Sequence, residues 1–340
     1  MPACGTQITL CDLPIRFDTY SGCSHQCKYC FATKKNFDMK NVRIHETYKQ
    51  LINFIKGKRI IDTAWCDWDI PLHWGGMSDP FQPIEKKLRV SYKCLEIFKE
   101  TQYPFVVSTK GKLIATDEYL DLIKQCKCVV QISLVCPEFD VIELGAPKFF
   151  ERLEIVKKIS PYKRVNIRIQ PYMIEFHDSI MKSLEKFAEA GAYGVIVEGL
   201  KSTKTRKGLV RIADADAVYP VGVLKPKMCI IKEKAHKLGM KFYSAENRLR
   251  SMGDDLCCCG IDGLEGFKGN SFNINHIING GEFKLTPAME KPGSALPFKS
   301  TFQQAGFYRK IKEMSFRDMM VNEYKNKKDF FKSTLTDKKL

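Results

Sequence analysis

The chain has 340 residues, 44% of them hydrophobic and 28% charged, a composition that supports a substantial buried core and excludes an intrinsically disordered or membrane-spanning polypeptide. Its net charge of +16 is uneven: residues 1–200 carry 28 basic against 24 acidic side chains and residues 201–340 carry 27 against 15, which makes the second half the expected anion-facing surface. Met1-Pro2-Ala3-Cys4-Gly5-Thr6-Gln7 lacks a basic stretch followed by an apolar run, so a cytoplasmic location is expected, with the 14 cysteines kept as thiols for metal, chemistry or packing.

In chain order, residues 1–14 form an N-terminal segment, 15–250 the main domain and 251–340 a Cys-containing, basic extension. Short β-like runs alternate with amphipathic helical runs between Arg16 and Gly199, the signature of βα units on a parallel sheet. The predicted strands are Ile15–Tyr20, Ile70–Gly75, Phe105–Thr109, Val129–Val135, Val165–Pro171 and Gly194–Glu198. The predicted helices are Glu46–Ile55, Glu85–Lys99, Asp117–Lys124, Pro147–Ile159 and Ser179–Ala190, each with apolar residues three and four apart. A further helix over Lys225–Leu238 and a strand over Met240–Tyr243 close the domain. From Ser251 glycines dominate and predict loops, with a short helix at Phe307–Met314 before a Lys-rich tail.

The most informative stretch is Ser21-Gly22-Cys23-Ser24-His25-Gln26-Cys27-Lys28-Tyr29-Cys30-Phe31-Ala32. Three thiols stand at C-x-x-x-C-x-x-C spacing directly after a predicted strand. Thiolates suit iron–sulfur clusters, and a four-iron cubane with three protein ligands leaves one iron open for a small molecule. The alternative is a zinc site of Cys23, Cys27, Cys30 and His25, although such tight spacing without a distant second ligand pair is unusual for zinc.

This stretch resembles the motif of the radical S-adenosylmethionine (SAM) enzymes, C-x-x-x-C-x-aromatic-C, with Tyr29 as the aromatic. Gly75-Gly76-Met77-Ser78-Asp79-Pro80-Phe81-Gln82-Pro83-Ile84-Glu85, Ser108-Thr109-Lys110, Ile132-Ser133, Arg152-Leu153 and Gln170-Pro171 extend the resemblance to the spore photoproduct lyase-like branch over roughly residues 15 to 200. The resemblance implies a partial (β/α)6 TIM-like barrel, and a [4Fe–4S] cluster on Cys23, Cys27 and Cys30. It also implies reductive cleavage of SAM to a 5′-deoxyadenosyl radical that abstracts hydrogen, with electrons from a donor such as flavodoxin or ferredoxin. By the same carry-over, Gly75 and Gly76 admit the SAM amino group, Ser78 and Lys110 meet its polar end, and Ser133 meets the ribose. A cation at a strand end can also pair with a carboxylate on general grounds. Without the resemblance, the glycine pair reads as a turn, Lys110 as a solvated lysine and Ser133 as a polar strand residue. Glu198 reads equally as a ligand contact and as half of a salt bridge.

The pattern departs from the lyase that gives the branch its name. Gly76 stands where that enzyme has a hydrogen-donor cysteine, and Phe31 where it has a tyrosine; neither can donate a labile hydrogen. Cys66 and Cys258 are then the alternative donors, Cys66 reading otherwise as a packed thiol. The triplet Cys257-Cys258-Cys259 admits three readings: an auxiliary iron–sulfur cluster completed by Cys229, Cys4 or Cys11, a hydrogen or electron donor, or buried thiols.

Lys201, Lys204, Arg206, Lys207 and Arg211, followed by Lys225, Lys227, Lys232, Lys234, Lys237 and Lys241, suggest a basic rim beside the barrel mouth. DNA or RNA is therefore the leading substrate class, with Phe267, Phe272 and Tyr308 available to stack on a base. The rivals are a peptide-modifying enzyme with an auxiliary cluster, and a non-catalytic iron–sulfur protein that binds nucleic acid or senses redox state.

Overall fold

The computed structural model describes residues 1–4, 10–34, 37–60, 63, 70–202, 208–211, 217–269, 273, 287–294, 314–319 and 321. Twelve strands occur among them: β1 (Ala3–Cys4), β2 (Ile15–Phe17), β3 (Tyr20–Ser21), β4 (Arg43–Ile44), β5 (Leu72–Trp74), β6 (Phe105–Thr109), β7 (Cys128–Ser133), β8 (Val165–Tyr172), β9 (Gly194–Gly199), β10 (Val210–Arg211), β11 (Ala217–Val218) and β12 (Lys241–Ser244). Eight of them form one sheet in the order β1-β2-β5-β6-β7-β8-β9-β12. β2 through β12 run parallel, and β1 adds an antiparallel edge.

Parallel neighbours require crossover connections. These are the helices Tyr48–Ile55, Val90–Thr101, Asp117–Gln125, Phe149–Ile159, His177–Glu189 and Val221–Lys237. The result is the expected partial barrel of six βα units, with β12 as a seventh parallel strand. Strand alternation separates two faces. Phe17, Trp74, Phe105, Val107, Val130, Ile132, Ile167, Val195 and Val197 pack with helix residues such as Phe54, Phe98 and Leu184 in the main core. The alternate residues Arg16, His73, Val106, Ser108, Val129, Gln131 and Arg168 face the concave lumen.

Two elements differ from expectation for identifiable reasons. The first strand stops at Phe17 because the buried Asp18 carboxylate turns to accept the backbone N–H groups of Met77 (3.0 Å) and Ser78 (3.3 Å). The helix expected over Glu85–Lys99 is interrupted at Arg89, whose φ is +51°. That left-handed residue lets the buried Glu85 carboxylate accept the N–H groups of Ser91 (3.0 Å) and Tyr92 (2.9 Å), satisfying donors at the start of the next helix. Of the short helix expected at Phe307–Met314, all but Met314 lies outside the described residues.

Part of the C-terminal extension enters the lumen rather than lying over its opening. Cys257, Cys259 and Ile261 form a small apolar cluster with Leu13, Val106 and Val129. Val106 and Val129 each stand second in their strands, so this cluster closes the foot of the lumen, opposite the mouth where strand C-termini and βα loops converge.

Candidate active site

The loop Cys23–Cys30 lies at the C-terminal end of the first parallel strand, beyond the short β3–β4 pair. Its three cysteines are free and half-buried. Two neighbouring segments clamp it. Gln82 is fully buried; its Oε1 accepts the Ser24 N–H (2.9 Å) and its amide donates to the Gly22 carbonyl (3.2 Å). Asp79 binds the His25 ring (3.0 Å), the Thr109 hydroxyl (2.6 Å) and the Lys110 N–H (2.6 Å). On the other side Glu143 forms a bridge with Cys27, and the Lys28 N–H donates to the Ile142 carbonyl (2.9 Å). Gly145 permits this approach, since a Cβ there would lie 2.1 Å from the Ser24 carbonyl oxygen.

Both ring nitrogens of His25 are committed, one to Asp79 (3.0 Å) and the other to the Gly145 carbonyl (3.1 Å). Neither nitrogen is directed at the three cysteines, which speaks against the zinc alternative with His25 as fourth ligand. Burial raises the Asp79 carboxyl, but the His25 charge and hydrogen bond, the Lys110 N–H and the Thr109 hydroxyl outweigh it and hold the group at about 2. Burial, with Asp79 adding to it, pushes the Cys23 thiol up to about 12. Burial also raises Cys27, against the opposing pull of Lys110. Metal ligation requires the thiolate, so loading a cluster on Cys23 and Cys27 would release these protons.

The donor set fits an iron–sulfur cubane. Cys23 and Cys27 are within electrostatic reach of each other, as are Cys27 and Cys30. Among the described residues no three His, Cys, Asp or Glu side chains gather around one ion's position. A single tetrahedral ion with bonds of about 2.3 Å draws its thiolates to about 4 Å apart, whereas a cubane holds each thiolate on a different iron.

The other expected contacts fall as follows. Tyr29 directs its hydroxyl to Glu143, which also pairs with the fully buried Arg152 and lies 3.8 Å from the Lys110 ammonium. Lys110 thus sits half-buried beside Cys27 rather than on a solvated surface. Burial lowers its pKa, while Cys27 and Glu143 more than compensate and raise it overall. Ser78 is buried and donates its hydroxyl to the Tyr20 carbonyl (2.5 Å). Ser133 ends β7, half-buried, its carbonyl accepting from Arg152 (2.7 Å). Gly75 has a φ of +84°, and a Cβ there would lie 2.3 Å from the Ser108 carbonyl oxygen, whereas a Cβ on Gly76 would meet the Arg16 side chain at an ordinary 3.5 Å. Glu198 pairs with Lys201. Residue types and spacing alone gave no reason to single out Asp79, Gln82 and Glu143. Asp79 and Gln82 lie within the stretch that carried the resemblance, while Glu143 had no signal in one sequence.

Cys66, Phe272 and Tyr308 lie outside the described residues. Cys258 is at the foot of the lumen, packed against Ile196, Tyr243 and Ala245 and beside Arg250; the structure does not bring it to the Cys23–Cys30 loop. Of the thiols expected to assist the triplet, Cys11 joins it, Cys229 lies on the outer helix Val221–Lys237, and the Cys4 side chain is outside the described set.

The basic helix also has a definite place. It descends the outer wall to Lys241 at the N-terminal end of β12, the side opposite the mouth. Lys232 pairs with Asp254 (3.2 Å) and Lys234 with Glu185 (2.7 Å). No described helix is long and apolar enough to cross a membrane.

No family model matches the chain. Uncharacterized proteins of Mycobacterium tuberculosis H37Rv and Mycobacterium bovis are each 26% identical over 212 residues, 58% of this chain and 62% of theirs. The chain therefore matches less than two thirds of the length of these relatives. Spore photoproduct lyase complexed with dinucleoside spore photoproduct superimposes with a TM-score of 0.56 at 16% identity, over 68% of this chain and 77% of that one. A variant of the lyase with bound AdoMet and the same dinucleoside gives 0.54 at 16% identity, over 68% and 76%. The chain shares its fold with spore photoproduct lyase.

Proposed function

We propose that the chain is a radical SAM enzyme in which Cys23, Cys27 and Cys30 hold a [4Fe–4S] cluster, acting on a nucleic acid or nucleotide. The observation that carries the reading is the donor count: three adjacent free thiols at the mouth of a parallel barrel, with the neighbouring imidazole committed on both nitrogens. When bound, such a cluster with SAM on its open iron supplies reductive cleavage of the sulfonium and a 5′-deoxyadenosyl radical for hydrogen abstraction.

The chain's own residues do the positioning. Asp79, Gln82 and Glu143 fix the loop that presents the thiols, and Lys110 offsets negative charge beside Cys27. The Gly75-Gly76 turn leaves backbone accessible at the strand end, which suits the SAM amino group. Lys110, Ser78 and Ser133 are the proposed contacts for its polar end and ribose. A reducing partner such as flavodoxin or ferredoxin supplies the electron. The grouping of Cys11 with Cys257, Cys258 and Cys259 favours a second reading, a peptide-modifying enzyme with an auxiliary cluster.

One experiment tests both. After anaerobic reconstitution, iron is counted and 5′-deoxyadenosine assayed with SAM and dithionite in wild type, Cys27→Ala and the triple Cys257→Ala, Cys258→Ala, Cys259→Ala variant. Wild type is expected to hold about four irons and to form 5′-deoxyadenosine, with Cys27→Ala losing both. About eight irons in wild type, falling to four in the triple variant, selects the auxiliary-cluster reading. A loaded cluster with no 5′-deoxyadenosine overturns the enzyme reading.

A further inference from the structure

The lumen above the cysteine foot is lined by a continuous polar ladder on adjacent strands. Arg16 on β2 is in register with His73 on β5. His73 Nε2 lies 3.0 Å from the Ser108 hydroxyl on β6, and Ser108 donates to Gln131 Oε1 on β7 (2.8 Å). Arg168 on β8 donates through Nη1 to the same Ser108 oxygen (2.8 Å) and through Nε to Gln170 Oε1 (3.0 Å). Because the Ser108 proton is directed at Gln131, His73 approaches as an Nε2–H donor. Burial and the charges of Arg168 and Arg16 keep its imidazole neutral.

This layer therefore holds two cations among neutral groups. Elsewhere Arg152 is balanced by Glu143, Arg248 by Glu246 and Arg164 by Asp262, while the buried Arg250 donates to Asn247 and lies beside Cys258 at the foot. Among the described residues neither Arg16 nor Arg168 forms an ion pair. Among the described residues Arg16 donates to the Met77 sulfur, at 3.6 Å; the Asp18 carboxyl is within its electrostatic reach, but burial raises that group to about 7, which leaves it only partly ionised at neutral pH, and it accepts the Met77 and Ser78 N–H groups rather than a guanidinium donor. Both arginines are half-buried, and partly desolvated cations without a full counter-charge are stabilised by a ligand that supplies one.

We propose that Arg16 and Arg168 form an oxyanion site in the lumen that binds a phosphate of the substrate. The inference rests on the enzyme reading above and specifies what its substrate must carry. Phosphate suits the site better than carboxylate because the two guanidinium groups come from strands separated by β5, β6 and β7. A tetrahedral anion can accept donors from two sides, whereas a planar carboxylate is matched by a single guanidinium fork. The turn Gly75-Gly76-Met77 adjoins Arg16, which places the bound phosphate next to the proposed SAM position.

The test uses the reconstituted full chain and calorimetric titration with inorganic phosphate, a deoxydinucleotide, its uncharged methylphosphonate analogue, and SAM. Wild type is expected to bind the phosphodiester at least tenfold more tightly than the methylphosphonate. Arg16→Gln and Arg168→Gln should each remove most of that preference and weaken inorganic phosphate equally, while Arg168→Lys, which keeps the charge, recovers part of it. Equal affinity for the two dinucleotides in wild type overturns the proposal. So does loss of SAM affinity in the variants with dinucleotide affinity intact, which would assign the arginines to the cofactor's carboxylate. Wild-type 5′-deoxyadenosine formation is read in parallel: its absence removes the enzyme reading, whereas its presence with no phosphate preference removes this inference alone.

Discussion

Gly75 and Gly76 are adjacent but meet different constraints, and the difference can be measured. At Gly75 the backbone is left-handed and the Cβ position lies 2.3 Å from a main-chain oxygen of β6, so neither rotation nor a side-chain shift relieves the clash. Gly75→Ala should cost about 2 kcal/mol or more in urea unfolding. At Gly76 the neighbour is the flexible Arg16 side chain at ordinary contact distance, so Gly76→Ala should change stability by less than about 0.5 kcal/mol. That makes Gly76→Ala the cleaner probe of the cofactor. If SAM approaches this backbone, the variant keeps its iron and unfolding midpoint but binds SAM at least several-fold more weakly in equilibrium dialysis. Unchanged SAM affinity would show that the pair serves only as a turn.

The segment 142–145 behaves as a clamp on the cysteine loop, and its energetic centre is Glu143. This carboxylate, 1% exposed, is shared by Tyr29, Arg152 and Lys110. Burial raises its pKa, but the two cations hold it below the usual carboxylate range. Glu143→Gln preserves shape and an acceptor while removing the charge. It leaves Arg152, which is fully buried, without its main counter-charge, and breaking a buried pair from one side costs about 3–5 kcal/mol. The expected result is a lower urea midpoint in the apo chain and slower, incomplete cluster loading, because the segment that bridges Cys27 loses the charge that ties it to Arg152 and Lys110. A stability change below about 1 kcal/mol would mean that water reaches the pair. The sequence showed the three cysteines because their spacing is local. It did not show Glu143, more than a hundred positions later, because a lone glutamate in a loop carries no periodic or motif signal. Asp79, Gln82 and Glu85 were visible as a motif, yet their work of tying loop, strand and helix together emerged only from their contacts.

Across the whole molecule, alternating patterns gave the order of strands and helices because each βα unit buries one face of a strand and one stripe of a helix. The seventh strand was visible too, as the short run Met240–Tyr243. What patterning could not give was the direction of charge. The basic residues from Lys201 to Arg211 and from Lys225 to Lys241 suggested a rim at the mouth; of the first group Lys204, Arg206 and Lys207 lie outside the described residues, and the second runs along the helix Val221–Lys237 to β12. Chain direction instead carries that helix down the outer wall, so its exposed end, Lys237 and Lys241, stands at the foot. The lumen cations, by contrast, are two isolated arginines in strands that no composition count would select. This separation predicts how affinity divides. Lys237→Glu with Lys241→Glu removes four units of charge from the foot, a surface exposed to solvent and screened over about 8 Å at physiological salt. Dinucleotide binding, followed by calorimetry at physiological salt, should then change less than twofold in the double variant. A tenfold or greater loss would place the binding surface at the foot and make the mouth-to-lumen path the wrong route for substrate.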